Sequence, residues 1–171
     1  MPRVFNLSTE GVHEMLDGRV RWVNHGNEPC DAVIAGVMLN VYATDDRQRE
    51  AMILLRKGVA LVGICADRVY PSPRGLEFGV GAMCAMLSYA SGAAPVFCGK
   101  PEAFFFRELC GRLGVSPGRA VLIGDNLESD IAGAKGVGMT AGLVLTGVST
   151  RADVERAPVG LRPDFVLERL T

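Results

Sequence analysis

The chain has 171 residues, 49% of them hydrophobic and 22% charged, with a formal net charge of −1. That is enough apolar material for one domain or two small ones. Near-neutral charge, few lysines and scattered arginines argue against a nucleic-acid or membrane-surface partner. The apolar runs are strand-length and the opening Met1-Pro2-Arg3-Val4-Phe5 holds no signal core, so a cytoplasmic protein is expected.

Strand and helix signals alternate, which predicts an α/β fold. Arg3–Leu7 reads as a short strand. Thr9–Leu16 reads as a helix capped by Ser8 or Thr9, with Gly18 after its end. Arg19–Val23 alternates with period two, a half-exposed strand, and Asp31–Val37 (DAVIAGV) is a buried one. Asp45–Lys57 reads as a helix with Asp45 and Gln48 as a capping box, Ala51, Leu54 and Leu55 as its apolar face, and Gly58 at its stop. Val59–Cys65 is a further buried strand. Pro71, Ser72, Pro73 and Gly75 mark a loop, and Gly79–Tyr89 a Met- and Ala-rich helix closed by Gly92.

A boundary falls near Gly92–Pro95. Beyond it the pattern predicts strand Val96–Cys98, helix Glu102–Leu113, strand Ala120–Gly124, helix Leu127–Lys135, strand Ala141–Thr146 and strand Phe165–Leu167. Pro101 suits a first helical turn, and Phe105, Leu109 and Leu113 share a face. This half reads βαβαβ with parallel strands. The five cysteines form no Cys-x-x-Cys pair and read as small core residues in a reducing compartment. Gly136-Val137-Gly138-Met139-Thr140-Ala141 fits a dinucleotide fingerprint in spacing, but a helix precedes it and a strand follows, the reverse of what that motif needs.

The chemistry gathers between Gly99 and Asp130. In a parallel sheet the ligand crevice lies beyond the carboxyl ends of the strands. Asp125 ends the strand Ala120–Gly124, and Asp130 follows at a helix start. Hard carboxylate oxygens there suit Mg²⁺, with waters and a substrate phosphate completing its shell. Lys100, between a strand end and a helix, can neutralise phosphoryl oxygens. The plainer alternative makes Lys100 a solvated loop residue and the two aspartates helix caps.

Gly99-Lys100-Pro101, a helix, then VLIGDNLESDIAGAKGVGMTAGLVLTGVST and a terminal PDFVL resemble the C-terminal part of the haloacid dehalogenase superfamily, nearest to its class IIA members, the NagD and 4-nitrophenylphosphatase-like phosphatases. DAVIAGV and RKGVALVGICADRVYPSPRGLEFGVGA resemble that family's cap. The resemblance implies a C2-type cap at residues 1–94 and the C-terminal half of a Rossmann-like core at 95–171. It implies a Mg²⁺-dependent hydrolase of a small phosphorylated metabolite, with Lys100 contacting phosphate, Asp125 ligating the metal and Asp130 orienting its water shell. Asn126 is a further candidate ligand, and Asp67 a candidate substrate contact in the cap loop, although Ile64-Cys65 stands where the family has Thr-Asn.

One departure dominates. The family's nucleophile and general acid come from an Asp-x-Asp-Gly strand, and no Asp-x-Asp occurs in this sequence. The chain reads as starting where the family's cap starts. Loss of a covalent nucleophile typically costs on the order of 10⁴–10⁶ in rate, so no useful turnover is expected from this polypeptide alone. The other reading is a non-catalytic module that binds a ligand or partner. The strand before Asp125 would also present an unpaired apolar edge, which predicts a homodimer or a complementing N-terminal fragment.

Overall fold

A computed structural model of the chain describes residues 1–37 and 43–170. In chain order the elements are β1 (Arg3–Leu7), α1 (Glu10–Leu16), β2 (Arg21–Val23), β3 (Ala32–Ala35), α2 (Asp45–Arg56), β4 (Ala60–Gly63), β5 (Val69–Ser72), β6 (Gly75–Phe78), α3 (Val80–Ser91), β7 (Pro95–Phe97), α4 (Ala103–Leu113), β8 (Val121–Gly124), α5 (Ala132–Gly136), β9 (Thr140–Val144), α6 (Arg151–Arg156) and β10 (Phe165–Leu167). They form two compact units, Met1–Arg68 with Phe78–Phe97, and Val69–Glu77 with Cys98–Thr171. The fold is mixed α/β.

The first unit is built on a parallel sheet in the order β2-β1-β3-β4-β7. β1 lies inside it and buries Val4, Phe5 and Leu7, the near-continuous apolar run expected of a strand covered on both faces. α2 and α3 supply Ala51, Leu54, Leu55, Val80, Met83 and Leu87 to the same core. A fully buried Leu or Phe contributes about 1.5–3 kcal/mol, so this cluster dominates the unit's stability.

Two caps refine the sequence reading. Thr9 caps α1, accepting from Val12 N. Thr44, not Asp45, caps α2 by accepting from Arg47 N, and Gln48 turns back to Ala43 O at 2.8 Å instead of closing a box with Asp45. The expected strand at Arg19–Val23 is shorter because Arg19 N and Val20 N both donate to Leu16 O and finish the turn after α1.

The second unit holds a three-stranded parallel sheet in the order β10-β9-β8. Its core joins Phe106 and Cys110 of α4 to Leu127, Ile131, Ala134, Met139, Ala141 and Leu143. The expected face Phe105–Leu109–Leu113 is therefore displaced by one position. Phe106 and Cys110 point inward, while Leu113 is 65% exposed. Gly133 lets Phe106 approach: a Cβ there would lie 2.1 Å from the Phe106 ring.

The strand expected to open the second half belongs elsewhere. β7 pairs with β4, Val62 opposite Val96, so the second sheet has three strands and not four. The loop expected at Pro71–Gly75 is a two-stranded ribbon, β5 with β6. Its prolines are tolerated because a two-stranded ribbon consists only of edges. Ser72 Oγ accepts from Arg74 N and donates to Glu77, and Gly75 takes φ +111°. α6 also escaped the sequence reading, although Thr150 and Asp153 form a complete capping box at its start.

Among the described residues no helix is long and apolar enough to cross a membrane.

Candidate phosphate and metal site

β8 runs through Val121–Gly124 and delivers Asp125 at its carboxyl end. The chain then makes a wide turn. Asp130 N and Ile131 N both donate to Asn126 O, and Ala132 N donates to Leu127 O, so Leu127–Ile131 is a single π-type turn that leads into α5. Such widened turns occur mostly as isolated features and often at functional sites. Here the turn folds the Asp130 side chain back over β8's end.

The Asp130 carboxylate is 6% exposed and fully engaged. One oxygen receives Lys100 Nζ at 2.7 Å. The other accepts the backbone N–H groups of Asp125 and Asn126, each at 3.1 Å. A buried charge survives only when paired and hydrogen-bonded in this way. Lys100 reaches it from the turn before α4, closed by Glu102 N donating to Gly99 O. Pro101 thus precedes the helix instead of occupying its first turn, and the Lys100–Pro101 bond is cis.

Asp125 is differently disposed. It is half-buried, and its Oδ2 accepts Val148 N–H at 2.8 Å. Its other carboxylate oxygen accepts no hydrogen bond from the described residues. The loop after β9 makes further contacts: Ser149 N donates to Asp125 O at 2.9 Å, and Ser149 Oγ accepts Leu127 N–H at 3.1 Å. Sequence reasoning passed over this loop, since backbone donors leave no side-chain signature.

Asn126 acts as a cap, its Oδ1 accepting Glu128 N–H at 2.9 Å. Asp67 lies in the other compact unit, in the loop after β4, where its backbone carbonyl accepts Gly81 N–H at 2.8 Å. Lys100, Asp125 and Asp130 therefore come together within one unit.

The acidic side chains that meet here bring carboxylate oxygens, and among the described residues no three His, Cys, Asp or Glu side chains converge as a metal-holding set. That suits a hard ion that keeps most of its waters and takes one or two carboxylates, as Mg²⁺ does. The second oxygen of the half-buried Asp125 carboxylate, which accepts no hydrogen bond among the described residues, fits a direct ligand. Asp130, both of whose oxygens are occupied, fits an outer position.

The HAD-hydrolase-like family model matches residues 97–171, the stretch that carries all three residues. The chain is 32% identical over 165 residues to a D-glycerol 3-phosphate phosphatase of Mycobacterium tuberculosis, covering 96% of this chain and 46% of that protein. It superposes on a 4-nitrophenylphosphatase from Thermotoga maritima with a TM-score of 0.83 at 31% identity, covering 98% of this chain and 62% of the other. The chain belongs to the haloacid dehalogenase superfamily. Within that superfamily it groups with the class IIA, NagD-like members. A third similar structure, a glycerol phosphate phosphatase from Mycobacterium tuberculosis in complex with magnesium, gives a TM-score of 0.81 at 32% identity, over 96% of this chain and 50% of that one. The haloacid dehalogenase-like chain thus spans about half the length of the curated relative, and its similar proteins are phosphatases.

Proposed function

We propose that the Lys100–Asp130–Asp125 arrangement binds the phosphoryl group of a small phosphomonoester together with Mg²⁺, as the phosphate half of a phosphatase site. The observation that carries this is the different engagement of the two aspartates: Asp130 is closed by Lys100 and two N–H groups, while Asp125 keeps a carboxylate oxygen unengaged at the strand end. Lys100 is 33% exposed and ion-paired with Asp130. A lysine ammonium at this position suits phosphoryl oxygens through charge-assisted hydrogen bonds. Asp125 would hold the ion directly, and Asp130 would orient its waters through the Lys100 pair. A bound Mg²⁺ would supply charge neutralisation for the phosphoryl group.

In this reading the five-stranded unit is the specificity cap, with Asp67 its candidate polar residue, and the three-stranded unit is part of the catalytic core. The 171 residues contain no Asp-x-Asp pair, so a covalent aspartyl step has no nucleophile in this sequence. That observation favours a second reading, a module that binds phosphate without turning it over.

Titration calorimetry with Mg²⁺ and inorganic phosphate tests the binding claim. Phosphate binding that requires Mg²⁺ and is lost in Lys100→Met and Asp125→Asn is expected; equal binding by the variants would overturn it. Hydrolysis of 4-nitrophenyl phosphate by this chain would separate the two readings, and its absence in the presence of binding would favour the second.

A further inference from the structure

The loop after β9 holds Asp125 in a way that the three charged residues do not explain. Val148 N–H takes one carboxylate oxygen at 2.8 Å, Ser149 N–H takes the Asp125 carbonyl at 2.9 Å, and Ser149 Oγ receives Leu127 N–H at 3.1 Å. Asp125 is thus clamped through its side chain and its backbone, and the turn beyond it is fastened to the same serine. Ser149 is 7% exposed and its bond from Leu127 N–H is buried, so that bond gains from the low local dielectric, while the Val148 bond to Asp125 is part-buried.

Gly147 makes the clamp possible. A Cβ built on it would lie 1.9 Å from Asp125 Oδ2 and 2.4 Å from Cγ. No real side chain fits there unless the carboxylate moves. The Gly147 backbone lies outside the left-handed region, since the positive-φ glycines are at 18, 58, 75, 92, 114 and 138. Alanine is therefore conformationally allowed at 147. What forbids it is the position of Asp125.

We propose that Gly147, Val148 and Ser149 form the positioning element of this site: Gly147 leaves room for the Asp125 carboxylate, Val148 N–H fixes one of its oxygens, and Ser149 locks the strand end and the turn, so that the other oxygen faces a divalent cation. The inference rests on the metal reading above, but the clamp is a property of the metal-free chain and is tested separately. Groups that orient a ligating carboxylate typically change metal affinity 10–100-fold when mutated.

The experiment uses the whole chain in two arms. In the metal-free arm, amide hydrogen exchange is followed for Val148 and for the β9 amides. Slow exchange at Val148 in the wild type is expected, with acceleration in Gly147→Ala and Ser149→Ala while the β9 amides hold their rates. Unchanged Val148 exchange in both variants would overturn the clamp. In the second arm Mn²⁺ is titrated and the free ion is read by electron paramagnetic resonance. Affinity is expected to fall by about tenfold or more in Gly147→Ala, to fall in Ser149→Ala and to return in Ser149→Thr, with melting temperatures recorded alongside. Wild-type Mn²⁺ affinity in both Gly147→Ala and Ser149→Ala would overturn the role toward the cation. If the wild type takes up no Mn²⁺ while Val148 exchange behaves as expected, the metal reading fails and the clamp is upheld.

Discussion

The Asp130 side chain lies directly on Gly124: a Cβ at residue 124 would stand 2.4 Å from Asp130 Cγ and 2.5 Å from Oδ2. The last residue of β8 is therefore bare because the acid of the π-type turn folds back across it. Gly124→Ala is expected to force the carboxylate off its two backbone donors, at a cost of ~1–3 kcal/mol by analogy with overpacked cores. Urea unfolding measures the loss. Wild-type stability in this variant would mean that the turn yields freely.

The β8 edge carries the next expectation. β8 ends the order β10-β9-β8, and its Val121 and Ile123 are 58% and 45% exposed. Leu122, of opposite parity, packs against the core. An apolar strand with open backbone groups invites pairing with another chain. We propose that a second copy fills this role when the chain is isolated. Light scattering at micromolar concentration is expected to show a dimer, and Val121→Lys combined with Ile123→Lys a monomer. A monomeric wild type would refute the pairing.

Acid should act on the second unit through Asp153 and Asp164. The Asp153 carboxyl is pushed down to about 2, first by the Thr150 hydroxyl, then by the Thr150 N–H and Arg156. Asp164 is lowered by Ala141 N–H and then by Lys135. In both, the folded value lies below the unfolded one. Their stabilisation is therefore complete above the ordinary 3.8 and is lost as pH falls through it toward the folded values, following proton linkage. Carboxyl NMR titration should place the Asp153 midpoint near 2, and Thr150→Val should move it upward. A midpoint at the ordinary value in the wild type would contradict the capping box.

The thiols should separate by reactivity. Burial pushes the Cys84 thiol up to about 12, whereas Cys98 is exposed. The thiolate is the reactive form. Iodoacetamide at pH 8 on the native chain is therefore expected to modify Cys98 and to spare Cys84, as read by peptide mass spectrometry. Equal labelling would show that the first unit's core opens readily.

Much of the fold was legible wherever a long apolar pattern met a clear punctuation mark. β1, α1 with Thr9, and α3 closed by Gly92 in the left-handed conformation all follow from local chemistry. The closeness of Asp125 and Asp130 was readable, because a strand end and the helix start after it share one edge of a parallel sheet, whereas Lys100 follows β7, a strand of the other sheet. Other features depend on contacts distant in sequence. Nothing local tells Val96 to pair with Val62 instead of joining the β8 sheet. The ribbon at 69–78 was hidden by Pro71 and Pro73, which read as breakers. The capping box at Thr150-x-x-Asp153 is a local signal for α6 that the sequence carries in plain form. The Gly147–Ser149 clamp was unreadable in principle, because its donors are peptide groups and its key residue is defined by an absent side chain.

The short β5–β6 ribbon has a topological consequence. Residues 69–77 group with 98–171, while the segments on either side of them, 1–68 and 78–97, group with each other. The polypeptide therefore passes from one body to the other at three points in sequence. A protease nicking any single junction leaves the halves covalently tied by the other two. Subcloning residues 98–171 alone would produce a fragment stripped of a piece of its own body, so dissection of this protein calls for grafts or paired cuts, not simple truncation.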